Sequence, residues 1–415
     1  MQLHFNVDQW LTLLVMWFHV MAGIAWIGTS FFFIWLDNHL EPQPGAVAGH
    51  VGKAWLFHGG GYYQVDKSLV APESVLSSLH WFKWEAYLTW LSGFTLLCVL
   101  YFWNAGAFMI DPAVADIGAP AAVAIGIATL VVGWLVYDGL WRTVGQHRPQ
   151  ATKIASIVLY MGAVYGLTRV LSGRAAYIES GALLGTIMAA NVLFIIQPRQ
   201  RRMFEANRRG ETPDPRWSHQ AKQRSTHNNY LTLPVVFMMI SNHFAMTFGH
   251  AFNWLILIVL FFVGMGADHY LNTRDKASKQ WGYAAVGAAF AGVLAMVFFT
   301  AVPMRRAARD ALAPASASVA DTGAVSFAAA HRIIEARCSE CHSAHPSSPL
   351  FHSAPMGIEF DNAQEIKRLA PRIRAMAVDT QAMPLGNRTH MTEHERAVLG
   401  AWIAQGAHTG KGPAK

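Results

Sequence analysis

Two of the three cysteines in the sequence lie in one short segment, Cys338-Ser339-Glu340-Cys341-His342. Two thiols that are separated by two residues and followed at once by a histidine form the C-x-x-C-H pattern, which is typical of covalent haem attachment. The tight turn sets the separation of the thiols for addition to the two haem vinyl groups, and the neighbouring imidazole then points at the iron. The motif therefore predicts one haem c, held by Cys338 and Cys341 and ligated at its iron by His342.

A second axial ligand is predicted at Met383, which precedes Pro384 in a loop roughly 40 residues after the motif. Class I cytochromes c carry their second ligand at such a position, and methionine–histidine ligation raises the reduction potential, which suits an electron acceptor. Met376 and Met391 are the alternative ligands. The motif could also be half of a zinc site, but no further cysteine follows it in the sequence to complete one.

Histidines inside apolar segments suggest a second cofactor, because ionisable residues within a membrane span are costly and are candidates for function. His19 is expected about 13 Å from the outer end of its span, and His243 about 10 Å from the outer face. A b-type haem between them is one hypothesis, with Gly23 leaving room for the macrocycle. The alternative is that each histidine hydrogen-bonds within the helix bundle. Asp138 and Asp268 lie at the predicted inner ends of spans, where we expect them to be solvated.

Two loop segments carry side chains suited to a flat polar ligand. Residues 58–67 combine a glycine run, which permits close backbone approach, with aromatic and amide groups. Residues 224–230 open a helix with Arg, His and Asn side chains, and a helix N-terminus favours an anion. A plain loop and a capped helix would explain the same residues. The candidate substrate-site residues are His58, Tyr62, Gln64, Lys67, His227, Asn228 and Asn229.

The elements that position these residues are mostly apolar. Charged residues make up only 14% of the chain and hydrophobic residues 53%, whereas a soluble domain carries about 25% charge. A membrane-crossing helix needs about 20 apolar residues. Eight stretches meet this need when the long apolar run from 230 to 271 is divided near residues 249–253. They are 10–36, 79–103, 119–138, 154–172, 180–197, 230–249, 252–272 and 281–303.

The loops between these stretches predict the topology. The odd-numbered loops contain sixteen lysines and arginines, and the even-numbered loops contain only Arg174. Cytoplasmic loops carry the excess of basic residues, so we predict a multi-pass protein of the inner membrane with both termini in the periplasm. The same distribution explains the net charge of +7 without a nucleic-acid partner.

The C-terminal part of the chain has a different composition. Residues 305–324 are rich in Ala, Ser and Pro and are predicted to form a flexible linker. Residues 325–415 are more polar and have a helical pattern, so they are predicted to form the cytochrome domain. The predicted fold class is all-α: a membrane helix bundle of about eight spans in residues 1–304, then a small helical cytochrome c domain. The charge distribution places that domain in the oxidising compartment that haem attachment requires.

Four segments of the membrane part resemble the membrane-bound urate oxidases of bacterial purine catabolism. The segments are Trp17–Phe31, His58–Tyr62, Arg224–Leu231 and Ser241–His243. In that family an eight-helix domain precedes a cytochrome c domain, so the resemblance covers essentially the whole chain. It implies oxidation of urate to 5-hydroxyisourate, with electrons passed through haem c to a soluble cytochrome c or a terminal oxidase. The first span also resembles, more weakly, that of haem-binding protoporphyrinogen oxidases, which supports a haem b at His19.

Two other functions remain open from the sequence. One is a quinol-oxidising membrane cytochrome, in which the bundle feeds electrons from a lipid-soluble donor to the haem. The other makes the membrane part an anchor or transporter and the cytochrome domain a shuttle, although an anchor needs one span rather than eight. Urate oxidation also sets a constraint, because urate loses two electrons and one haem accepts one. Either a second centre stores an electron, or the haem turns over twice.

Overall fold

The computed structural model describes residues 7–43, 49–70, 79–276, 278–301, 325–351 and 353–409. The predicted linker, residues 305–324, falls outside these ranges. Helices dominate, as predicted, and within the described ranges seven segments are long and apolar enough to cross a membrane. The seven are Trp10–Asn38, Trp84–Phe102, Ala119–Arg142, Pro149–Val170, Gly173–Arg208, Asn253–Thr273 and Lys279–Thr300.

The helices of the membrane part are numbered in chain order. They are α1 (Val7–Asn38), α2 (Trp84–Leu96), α3 (Ala105–Phe108), α4 (Ala119–Arg142), α5 (Pro149–Val170), α6 (Gly173–Ala190), α7 (Gln197–Arg208), α8 (Pro215–Ile240), α9 (Ala245–Phe248), α10 (Asn253–Thr273) and α11 (Lys279–Ala301). π-helical turns over Leu97–Phe102 and Asn191–Ile196 extend α2 and join α6 to α7. The joined helix therefore extends past both ends of the span predicted at 180–197.

Helix α8 differs most from its predicted span, 230–249. It begins earlier, because the Asp214 side chain caps its N-terminus and Pro215 occupies the first turn. It ends earlier, at Ile240, where Ser241–His243 form a 3₁₀ turn. Its first half is polar, so it is not one of the seven apolar segments. Its 26 residues nevertheless make it about 39 Å long.

Contacts between helix ends define two ends of the bundle. At the end that we call inner, Arg224 near the start of α8 pairs with Asp138 near the end of α4. At the end that we call outer, Gly173 at the start of α6 lies so close to the Phe248 carbonyl that a Cβ would be 2.1 Å from it. Helix α8 therefore runs from the inner end to the outer end. The loops predicted to be cytoplasmic meet at the inner end, and the even-numbered loops meet at the outer end.

The burial pattern of the bundle is the reverse of that of a soluble protein. Large apolar side chains such as Trp17 and Phe298 are exposed on the outside of the helices. Polar groups occupy the interior, where Glu179, Asn191 and Asp268 have no exposed surface. Interior polar groups and an apolar exterior fit a hydrocarbon surrounding, because polar groups in a bilayer need partners inside the protein.

A β-hairpin is a correction to the predicted all-α class. Strands β1 (His50–His58) and β2 (Gly61–Ser68) pair antiparallel, with Phe57 opposite Tyr62. Gly59 and Gly60 have φ of +60° and +83°, and a two-residue hairpin turn of this kind needs positive φ at both positions. The glycine run, which we interpreted as a place for close approach of a ligand, forms this turn.

Residues 325–409 form a smaller helical unit with its own core. Its helices are α12 (Phe327–Arg337), α13 (Ala363–Ile373) and α14 (Glu393–Ala404). Ser326, Asn362 and Thr392 cap the three N-termini with side-chain oxygens, which stabilises each helix by about 1 kcal/mol. The core contains the fully or almost fully buried residues Ala330, Ile334, Ile366, Leu399 and Trp402.

The small unit contacts the outer end of the bundle through the loop that carries Met383. Gly386 lies against the backbone carbonyls of Ala107 and Ile110, at the end of α3. Ala382 packs against the core of the membrane part. The methionine loop is therefore held at the same end of the bundle as the even-numbered loops.

Candidate functional site

A cleft in the small unit brings the predicted haem residues together. Cys338, Cys341, His342 and Met383 all line it, and its empty space, including the part open to solvent, is about 1050 Å³. Most of the remaining lining is apolar, which is the surrounding that a porphyrin face requires. The apolar lining includes Leu350, Phe351, Pro355, Ile358, Phe360, Leu369, Ile373, Ala377 and Leu385.

The orientation of His342 fits an iron ligand. Its Nδ1 donates a hydrogen bond of 3.0 Å to the Ile358 carbonyl, which fixes the ring and leaves Nε2 as the free nitrogen. Burial lowers the pKa of His342 although the bond to Ile358 opposes this shift. The imidazole is therefore neutral at physiological pH, as a metal ligand must be.

A zinc site at the same cysteines fits less well. Within the described ranges no group of three or more His, Cys, Asp or Glu side chains is placed to hold a metal ion. The paired thiols, the oriented imidazole and the apolar cleft fit a covalently attached haem.

The structure separates the three candidate methionines. Met383 and Met376 line the cleft, whereas Met391 is buried in the helical core with 3% of its surface exposed. Arg396 holds the methionine loop by donating from Nη1 to the Met383 carbonyl at 2.8 Å. Met356 also lines the cleft, although 82% of its surface is exposed. Packing therefore disfavours Met391 and leaves Met383 on a fixed loop segment.

A second site is built around a buried ion pair at the inner end of the bundle. Asp138 Oδ1 accepts from Arg224 Nη2 at 3.0 Å, and its Oδ2 accepts from Arg142 Nε at 2.5 Å. Asp138 and Arg224 are 6% and 3% exposed. The expectation that Asp138 is solvated was therefore wrong, and so was that for Asp268, which is fully buried. Side chains of neighbouring helices cover both carboxylates.

Basic and amide side chains surround a small pocket at this ion pair. The empty space of the pocket, including the part open to solvent, is about 560 Å³, and its lining consists of Arg142, Gln146, Ile195, Arg199, Gln220, Gln223 and Arg224. Arg199 donates from Nε to Gln220 Oε1 at 3.0 Å, and Gln220 Nε2 lies 3.4 Å from Gln146 Oε1. Three guanidinium groups thus face one carboxylate, so the pocket has a surplus of positive charge. We call it the arginine pocket.

Two predicted substrate-site residues lie one turn or more beyond Arg224 on α8. His227 packs against Trp141 with ring centres 4.2 Å apart and ring planes tilted by 55°, and its Nδ1 lies 2.8 Å from the Tyr137 hydroxyl. Asn191 donates both to that hydroxyl and to Asn228 Oδ1, at 3.2 and 2.9 Å. The structure therefore joins His227 and Asn228 in one buried network next to the arginine pocket.

Asn229 belongs to a different contact. Its Oδ1 accepts from Asn272 Nδ2 at 2.5 Å, which ties α8 to the end of α10. Asn229 is fully buried on a face of α8 that does not line the arginine pocket. Its contact is a link between helices, so the structure separates it from His227 and Asn228.

The hairpin residues lie away from these groups. His58 and Gln64 are exposed, and Tyr62 is 79% exposed. Lys67 forms an ion pair with Asp37 at the end of α1. Lys222 of α8 also binds Asp37, at 3.2 Å. The ion pairs attach the hairpin to the inner end of the bundle, but its predicted site residues do not line the arginine pocket.

The two histidines predicted for a second haem have different surroundings. His19 Nδ1 lies 3.0 Å from both the Thr89 carbonyl and the Ser92 hydroxyl of α2. Its ring also lies against Gly93, where a Cβ would be 2.8 Å from Cε1. His243 is exposed in the 3₁₀ turn after α8. His19 thus has the hydrogen bonds of the alternative interpretation, and the second haem stays a prediction.

Sequence reasoning missed several residues that the structure brings out. Arg142 and Arg199 had been counted only as signs of topology. Glu179 had lain just outside a predicted span, yet it is fully buried in α6, and no described residue bonds either carboxylate oxygen. Gly126 of α4 makes room for it, since a Cβ there would lie 2.5 Å from Oε1. A charged residue at the edge of an apolar segment was the available signal.

Comparison with known proteins adds the family. Neither the curated proteins nor the solved structures contain a match to this chain. The family model described as urate oxidase N-terminal matches residues 6–300. That range contains the whole bundle, the hairpin and the arginine pocket, and it makes up more than half of the chain. The chain therefore belongs to the urate oxidase N-terminal family.

Proposed function

We propose that this membrane protein oxidises urate to 5-hydroxyisourate and delivers the electrons to a haem c held by its C-terminal unit. The observation that carries the proposal is the family match over residues 6–300 in a chain that continues into a cleft lined by Cys338, Cys341 and His342. Family membership supplies the substrate. A haem c attached in the cleft would be the electron acceptor on the same chain.

The residues around the cleft have separate roles in this proposal. Cys338 and Cys341 would form the two thioether bonds, His342 would ligate the iron, and Met383 would be the second axial ligand. A bound haem c supplies one-electron transfer. Phe360 and the other apolar groups of the lining exclude water from it. Arg396 keeps the methionine loop in place through the Met383 carbonyl.

The reaction balances as a dehydrogenation with water. Urate and one water molecule give 5-hydroxyisourate, two protons and two electrons, and no oxygen atom from dioxygen is needed. Since one haem accepts one electron, either the haem is oxidised between two transfers or a second centre holds the other electron. If a second centre holds the other electron, the proposed centre is a b-type haem ligated by His19 and His243.

The proposed topology depends on whether α8 crosses the membrane. If α8 is the eighth crossing, together with the seven apolar segments, the inner end faces the cytoplasm and the small unit lies in the periplasm. The contact of Gly386 with Ala107 and Ile110 supports this arrangement, because those residues belong to an even-numbered loop. The periplasm is also where haem is attached covalently and where a soluble cytochrome c or a terminal oxidase would take the electrons.

The test uses membranes that contain the full-length protein. Anaerobic addition of urate should produce the optical α-band of the reduced haem, whereas addition of a quinol should not. Cys338→Ser should abolish the urate-dependent signal. Reduction by quinol but not by urate would establish the quinol-oxidising alternative, and reduction by neither would refute both enzyme functions. A pyridine haemochrome spectrum distinguishes haem c alone from haem c with haem b.

A further inference from the structure

We infer that the arginine pocket is the urate-binding site and that it opens at the inner end of the bundle. This inference rests on the proposed function for the identity of the ligand. Three features of the pocket suit urate: its positive charge, a buried guanidinium donor, and its amide groups.

Charge is the first reason. Arg142, Arg199 and Arg224 line a pocket in which Asp138 is the one carboxylate bonded to them within the described residues. Arg224 is buried whereas the Arg142 side chain is 49% exposed, so the surplus positive charge is partly solvated and would attract an anion to the pocket. Urate is an anion, and it would supply negative charge at this point.

A buried donor without a partner is the second and independent reason. Arg224 is 3% exposed, its Nη2 is bonded to Asp138, and its guanidinium lies over the Tyr137 ring, 4.9 Å from the ring centre, but its Nη1 donates no hydrogen bond of ordinary geometry to a described residue. A buried N–H group without an acceptor is destabilising, and more so when it is charged. Arg224 is also part of the pocket lining. A ligand oxygen in the pocket would give this guanidinium its missing acceptor.

The amide groups give the pocket selectivity for a heterocycle over a simple anion. Gln146, Gln220 and Gln223 bring amide groups to the lining. Gln220 accepts from Arg199 and lies 3.4 Å from Gln146 Oε1, so these two amides would exchange those bonds for bonds to a ligand. The edges of urate alternate N–H donors and carbonyl acceptors, so amides and guanidinium groups can pair with it on several sides. A phosphate has no N–H groups, so it would use the arginines but not the glutamine carbonyls.

The location of the pocket sets the side from which urate enters. The lining comes from the ends of α4, α7 and α8 that meet at the inner end, which the basic loops predict to be cytoplasmic. His227 lies one turn deeper on α8, next to Tyr137. It therefore lies on the side of the pocket that faces the interior of the bundle. There it would either position neighbouring groups or carry a proton away from the pocket.

Arg199→Gln in the full-length protein tests the site, and Arg201→Gln is the matched control. Both arginines belong to α7, but Arg201 is 78% exposed, pairs with Glu205 and does not line the pocket. Loss of one charge-assisted hydrogen bond should weaken binding of radiolabelled urate by about tenfold or more. The control should bind as the wild type does. Equal binding by all three proteins would overturn the inference.

Turnover and lipid competition separate this inference from the proposed function. If Arg199→Gln raises KM while kcat changes little, the pocket binds the substrate. If urate reduces the haem of all three proteins with the same KM, the function stands and the pocket is wrong. If urate binds as expected but no haem is reduced, the pocket stands and the function is wrong. If no urate binds but phosphatidylglycerol binds to the wild type more strongly than to Arg199→Gln, the pocket is a lipid-headgroup site and the inference is overturned.

Sidedness gives a further readout. Urate added to inverted vesicles should reduce the haem at once, whereas urate added to right-side-out vesicles should not, because the anion crosses the bilayer slowly. Tyr62→Ala in the exposed tip of the hairpin should leave KM within about twofold, since a scattered surface change has little effect. Reduction from the outer side alone would overturn the placement of the site.

Discussion

The ion pair between Asp138 and Arg224 provides the most quantitative test of the inner site. Asp138→Asn keeps the shape of the side chain and removes its charge. Arg224 is 3% exposed, so its guanidinium would be left buried without a counter-ion, which costs about 3–5 kcal/mol. The Arg142 contact adds little, because its side chain is 49% exposed and exposed pairs contribute about 0–1 kcal/mol.

Thermal unfolding in detergent measures this cost. A loss of about 3–5 kcal/mol should lower the Tm by about 10 °C, given the usual 2–4 °C per kcal/mol for large domains. Arg142→Gln is the control and should shift the Tm by no more than about 3 °C. The double variant Asp138→Asn/Arg224→Gln removes both charges. It should recover most of the stability, because replacing both partners of a buried pair is often nearly neutral.

Urate gives the same variant a second signature. In Asp138→Asn the free guanidinium should gain more from a bound anion, so saturating urate should raise its Tm more than it raises that of the wild type. The double variant has no guanidinium at this position and should show little urate effect. A single variant as stable as the wild type, with the same response to urate, would refute the buried pair and the charge argument together.

Two further predictions concern the C-terminal unit. Met383→Leu should lower the reduction potential and change the haem absorption spectrum in a redox titration, whereas Met391→Leu should leave the spectrum unchanged and cost less than about 1.5 kcal/mol of stability. Burial alone would raise the pKa of Glu395, but hydrogen bonds from Thr392 and Arg337 hold it below the ordinary value. Its contribution is thus present above the ordinary carboxyl pKa and lost as pH falls through the lowered folded-state pKa. Glu395→Gln should cost about 1 kcal/mol at neutral pH and remove that acid dependence, as measured by urea unfolding.

The features that could be predicted from the sequence are those in which the signal is local. The C-x-x-C-H motif specifies its chemistry within five residues, and seven spans follow from runs of apolar side chains. The hairpin was missed because residues 50–68 do not alternate cleanly between apolar and polar positions. The two glycines at its turn were the local signal, and we had assigned them to ligand approach.

The arginine pocket could not be predicted because its residues are far apart in the sequence. Arg142 is the last residue of α4 and Gln146 follows it, Arg199 lies near the start of α7, and Gln220 and Arg224 lie on α8. Each arginine reads locally as a topology signal in a basic loop. Only the packing of the three helix ends shows that Arg142 and Arg224 share one carboxylate, that of Asp138.

The methionine ligand shows the same limit at shorter range. Met376, Met383 and Met391 all follow the motif at distances that a loop can span, so spacing alone leaves them as alternatives. Packing separates them, because Met391 fills the helical core while the other two face the cleft. The direction of a side chain depends on the fold of the whole unit, which the sequence pattern does not give.

The inner pocket and the haem cleft together constrain the electron path. Arg224 and Ser241 are 17 residues apart on α8 and its 3₁₀ turn, so the two ends of the bundle are separated by about 25 Å. Urate bound at Arg224 would therefore deliver its electrons across most of the bundle before they reach a haem at the outer end. An inner substrate site thus requires a carrier within the helices, and a haem at His19 is the predicted one. If the haemochrome spectrum shows haem c alone, that carrier is absent, and urate bound at the inner pocket would then not be expected to reduce the haem.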